Sequence, residues 1–90
     1  MPSDELELDL PPIFDIGDKV RICSLIKNDG TYPGTKLGEV LINIGEVGYV
    51  VSIGTYLQRA YFYAIRFMEK DIVVGCRKAE LELIERAEQI

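Results

Sequence analysis

Along Tyr61-Phe62-Tyr63-Ala64-Ile65-Arg66-Phe67 large side chains recur at every second residue, and this alternation constrains the fold more than any other feature of the chain. A repeat of two belongs to a strand, so Tyr61, Tyr63, Ile65 and Phe67 are expected on one face. Val47, Tyr49, Val51 and Ile53 repeat the pattern and predict a second strand with those four residues on one face. Gly48, inside that strand, predicts a bend or the close approach of another backbone.

Shorter segments carry the same signal. A Gly17-Asp18 turn feeds a strand with Val20 and Ile22 on one face and Lys19 and Arg21 on the other. Residues Glu39 to Ile44 predict a short strand. After a Glu69-Lys70-Asp71 turn, Ile72, Val74 and Cys76 continue on the core side of another. At the end, Ala79, Leu83, Ala87 and Ile90 fit a helical face while Leu81 and Leu83 fit a strand; a single turn near Lys78 followed by a strand from Leu81 to Ile84 is the reading preferred. Short strands at turn-marked intervals predict an all-β fold, a small closed SH3-like barrel of about five antiparallel strands with a short helical turn near the C-terminus.

Charge divides the chain into parts. The net charge of -5 is concentrated in residues 1–12, where Asp4, Glu5, Glu7 and Asp9 stand without a base, whereas residues 13–84 hold nine acids against nine bases. The leader alternates acid and leucine from Glu5 to Leu10 and ends in Pro11-Pro12, and its charge favours a flexible segment. The expected organisation is an acidic flexible leader at 1–12, one domain at 13–84 and a C-terminal tail at 85–90. Scattered, outnumbered bases argue against nucleic acid as a partner. No apolar run approaches the roughly 20 residues that cross a bilayer. The acidic N-terminus does not read as a secretory signal, so a cytoplasmic location is expected.

The absence of histidine removes the commonest general base near neutral pH and the commonest metal ligand. The usual hydrolytic triads cannot be assembled, and the acids read as solvated strand faces and turns, so no catalysis is expected. Two cysteines, Cys23 and Cys76, cannot supply the four ligands of a structural zinc site or of an iron-sulfur cluster within one chain, so neither a metal site nor a resident cofactor is expected. Both thiols are candidates for reactivity. Alternation puts Cys23 outward, beside Arg21, and Cys76 inward as a small core residue, unless the neighbouring Arg77 lowers its pKa.

The remaining candidates are loops. Asn28-Asp29-Gly30-Thr31-Tyr32-Pro33-Gly34 combines two turn signals in an excursion long enough for recognition, with Tyr32 as an aromatic anchor. After the second strand, Thr55, Tyr56 and Arg59 offer another aromatic and a cation. Together these loops predict a protein-contact surface.

In wording and order, Phe14-Asp15-Ile16-Gly17-Asp18, the Asn28 to Gly34 string, Gly45 to Leu57, and Val73-Val74-Gly75-Cys76-Arg77 with Glu80-Leu81 resemble the NifZ family, over roughly residues 13–84. The resemblance implies a non-enzymatic accessory protein for maturation of the nitrogenase molybdenum-iron protein, notably assembly of its P-cluster. It would act as a chaperone-like module on that protein or its maturation intermediates. Longer members of the family extend beyond the barrel. The alternatives are an SH3-like peptide- or protein-interaction module without a nitrogenase role, and an iron-sulfur carrier using Cys23 and Cys76 across a dimer.

Overall fold

The computed structural model describes residues 8, 10–28, 30, 33–34, 36–56 and 60–87, with the side chain of Tyr56 excepted. Among the described residues seven strands follow one another: β1 (Lys19–Ile22), β2 (Ile26–Lys27), β3 (Val40–Ile42), β4 (Val47–Tyr56), β5 (Ala60–Phe67), β6 (Ile72–Cys76) and β7 (Leu81–Glu85). A 3-10 turn at Lys78–Glu80 precedes β7, where the sequence places a single turn. Five strands form one antiparallel sheet in the order β6-β5-β4-β1-β7, and β2 and β3 form a separate pair. The fold is all-β, as the alternation requires. The expected barrel is not closed, because β6 and β7 are the two edges of the five-stranded sheet.

The buried faces of β1, β5 and β6 are those that alternation selects. Val20, Ile22, Tyr63, Ile65 and Phe67 are all within 1% of complete burial, Cys76 is buried, and Ile72, Val74 and Tyr61 pack against the same core. The β4 strand departs from the expected single face, because Ile53 does not share the face of Val47, Tyr49 and Val51. Val47, Tyr49 and Val51 look outward, while Gly48 and Val50 look in. The cause is a bulge: Tyr49 pairs with Arg66 and Val50 with Ile65, but Ser52 pairs with Ala64 and Ile53 with Tyr63. The extra residue at Val51 returns Ile53 to the core side together with Val50, three positions away, which no strict period of two can express.

Gly48 has the close neighbour that its place in a strand suggests. A Cβ there would lie 2.6 Å from both the Arg66 carbonyl oxygen and Ile65 Cγ2. Sequence reading did not distinguish β2, a strand of two residues. Its Ile26 is buried with Leu41 and Ile42 of β3, so the excursion after β1 is tied to the core at its base.

Segments from opposite ends of the described domain, at residues 13–15 and 86–87, converge on one buried carboxylate. Asp18 is 1% exposed, and its Oδ2 accepts hydrogen bonds from the Asp15 N–H (2.8 Å) and from Arg86 Nη1 (2.9 Å). Its Oδ1 accepts from the Ala87 N–H at 2.7 Å. Arg86 also donates to the Ile13 carbonyl at 2.9 Å. Burial pushes the Asp18 carboxyl up, but the hydrogen bonds from Asp15, Ala87 and Arg86, with the charge of Arg86, outweigh it and hold the pKa below 3.8. Gly17, at φ +95°, packs so closely on this crossing that a Cβ would meet the Ala87 Cβ at 3.0 Å.

Candidate interaction surface

Asn28 ends the β2 side of the excursion with its side chain buried. Its N–H donates to the Glu39 carbonyl (2.8 Å), its own carbonyl accepts from Gly38 (2.7 Å), and its Oδ1 accepts from the Gly30 N–H (3.0 Å). The last is the short side-chain-to-backbone turn that asparagine favours, and Gly30 completes it at φ +101°. Asn28 is thus turned inward to hold the loop together. Pro33 and Gly34 are exposed on it. Asp29, Thr31 and Tyr32 lie outside the described residues. Leu37, 76% exposed, is an apolar side chain on this excursion that sequence reading did not single out.

Thr55 is exposed near the end of β4, opposite Tyr61, and the backbone of Tyr56 pairs with Ala60. Arg59 lies outside the described residues. Register separates the roots of the two loops: Arg21 of β1 pairs with Val47 at the start of β4, whereas the second loop leaves from Tyr56 at its end. The described residues show the first loop organised around Asn28 and the second as a hairpin tip.

The two thiols differ sharply. Cys23 is exposed, just beyond β1, with its N–H donating to the Glu80 carbonyl at 2.8 Å. Cys76 is 1% exposed, and burial, reinforced by the negative charge of Glu80, pushes its thiol up to about 12. Its neighbour Arg77 therefore does not activate it. Among the described residues no group of three or more His, Cys, Asp or Glu side chains is gathered to hold a metal ion. No helix among them is long and apolar enough to cross a membrane.

A further surface feature is built from residues that sequence reading assigned elsewhere. The segment leading into the domain runs across the two tyrosines of β5. The Tyr61 hydroxyl donates to the Leu10 carbonyl at 2.6 Å, and the Ile13 N–H donates to the Tyr63 hydroxyl at 3.1 Å. Phe14 then enters the core edge-on to the Tyr63 ring, with centroids 5.0 Å apart. Leu10, Pro11, Ile13, Tyr61, Tyr63 and Lys78 line a shallow, mostly apolar cleft. The available signal was Pro11-Pro12 ahead of a strand with two tyrosines on one face.

Fold and surface together define a small all-β domain that presents loops and an aromatic cleft. Residues 11–83 match the NifZ domain model, and the chain belongs to the NifZ family. It is 46% identical over 79 residues to a putative NifZ protein of Sinorhizobium fredii, covering 88% of this chain and 73% of that one. It is 44% identical over 72 residues to protein NifZ of Azotobacter vinelandii, covering 80% of this chain and 45% of that one. A probable NifZ protein of Rhodobacter capsulatus is 40% identical over 77 residues, which is 83% of this chain and 99% of that one. The chain thus spans less than half of the Azotobacter relative. No solved structure matches it significantly. Membership places the protein in the context of nitrogen fixation.

Proposed function

We propose that this protein is a non-enzymatic, chaperone-like accessory of nitrogenase maturation that binds an immature form of the molybdenum-iron protein and assists assembly of its P-cluster. Membership of the NifZ family across residues 11–83 carries the reading. A protein that binds a client need own no cofactor. What it needs is a higher affinity for the immature than for the mature form, because equal binding to both shifts no equilibrium.

The contact is assigned to the excursion and the hairpin tip, through Asp29, Tyr32 and Pro33 with Tyr56 and Arg59. The exposure of Pro33 and Gly34 supports the first of these. The burial of Cys76 counts against a carrier that shares clusters through both thiols. The test is anaerobic calorimetry of the purified chain with cluster-immature and mature molybdenum-iron protein. Tighter binding to the immature form is expected, and equal or absent binding to both removes the proposal.

A further inference from the structure

We infer that the surface formed by Tyr61, Tyr63 and Lys78 is a docking site for an extended protein segment that alternates apolar and acidic residues, and that the chain's own Leu10 and Pro11, which wall the cleft from the other side, lie across it as a displaceable stand-in. The inference goes beyond the nitrogenase reading and does not depend on the client named there.

The character of the anchoring contacts carries it. Both tyrosine hydroxyls engage main-chain atoms of the resident segment, the Leu10 carbonyl and the Ile13 N–H. Main-chain contacts are indifferent to side chains, so another extended segment could make the Leu10 contact equally well. The occupant is only lightly held. Leu10 remains 64% exposed and Pro11 is exposed, so little apolar area opposes release, while Phe14 stays in the core as a fixed hinge. Pro11-Pro12 restricts the segment to extended conformations, which limits the ordering cost of seating it.

Charge indicates which segments fit. Lys78 forms part of the cleft wall, and the chain that reaches Leu10 carries Asp4 and Glu5 ahead of Leu6, with Glu7 and Asp9 between its leucines. An incoming segment of the same make-up would place apolar residues against the tyrosines and carboxylates towards the lysine. The tethered leader competes at a high effective concentration, so the unmodified chain should bind such a segment weakly.

The test uses the full chain and a fluorescently labelled synthetic peptide of residues 1–12, read by anisotropy. A leader variant, Leu10→Gly with Pro11→Gly, removes the apolar side chain and the backbone restriction of the resident segment and keeps Tyr61, Tyr63 and Lys78 unchanged. It is expected to bind the peptide at least about tenfold more tightly than the unmodified chain. Adding Tyr61→Phe, which removes one hydroxyl, or Lys78→Glu should each reverse most of that gain. Equal binding by the unmodified and leader-variant chains, no binding by the variant, or indifference to Tyr61→Phe and Lys78→Glu would each overturn the inference. None of these outcomes bears on binding to the molybdenum-iron protein, which is measured separately.

Discussion

The Gly17-Asp18 turn and the Asn28–Gly38 excursion use the same vocabulary of glycine and short polar side chains, yet one is a buried latch and the other a displayed loop. At the latch the polar contacts reach across the chain as well as along it: Asp18 gathers Arg86 and Ala87, 68 and 69 residues away, together with nearby Asp15, and Arg86 reaches Ile13. Among the described residues of the excursion, Asn28 serves Gly30 and is joined to Gly38 and Glu39 of the same excursion, while Pro33, Gly34 and Leu37 face solvent. A turn whose hydrogen bonds close on distant segments supports the fold. One whose bonds close on itself can present its tip to a partner.

If that contrast holds, the largest effect belongs to Asp18→Ala. It leaves the Asp15 and Ala87 N–H groups without their acceptor and frees Arg86, and should cost about 2–4 kcal/mol in urea denaturation. A loss within 0.5 kcal/mol would place the latch outside the cooperative fold. Acid should act in the same direction. The folded pKa of Asp18 is lowered from 3.8, so its contribution is complete above the unfolded value and is lost as pH falls through the still lower folded value. Glu46 adds to this acid loss: burial raises its pKa, but the Asn43 N–H and Lys70 outweigh that and lower it below 4.5. The urea midpoint of the native chain should therefore fall steeply below about pH 4, and that of Asp18→Ala less steeply.

Asn28→Ala comes next, at about 1–2 kcal/mol, because it deletes a buried side chain and the acceptor for Gly30. Gly34→Ala should cost about 1 kcal/mol, from its φ of +89° alone, since a Cβ there meets nothing within 4 Å. If the excursion contacts a client, both loop variants should weaken binding by more than their effect on stability, and Asp18→Ala should do the reverse. The smallest effect on the fold comes from thiol labelling. A maleimide should modify exposed Cys23 readily at pH 7 and leave Cys76 untouched until the domain unfolds, since burial holds Cys76 near 12.

How far the sequence could be read depended on the range of the interaction involved. Tyr63, Ile65 and Phe67 declared their face because a strand alternates wherever it lies. The 3-10 turn at Lys78–Glu80 was legible for a local reason too, since the Glu80 carboxylate reaches back to the Arg77 N–H at 2.8 Å. The β4 face was not legible, because a bulge is a property of two strands in register. Of the loop candidates, Asn28 had a local turn signal, but its burial comes from pairing across to Glu39. The cleft was hidden for a similar reason: Leu10 and Tyr61 are 51 residues apart and meet only when the leader crosses β5.

By itself, then, the sequence determined an all-β chain, most of its strands and turns, the outward thiol and the inward one, and a likeness to one family, all through local periodicity, turn chemistry and an ordered string of residues. Tertiary structure alone decided that the five-stranded sheet stays open, that Val51 is a bulge, that Asp18 joins the segment before β1 to the one after β7, and that two tyrosines hold the entering segment. The physical reason is that a side chain's preference for strand or turn is set by its neighbours along the chain, whereas burial, pKa and hydrogen-bond partners are set by residues that only folding brings near.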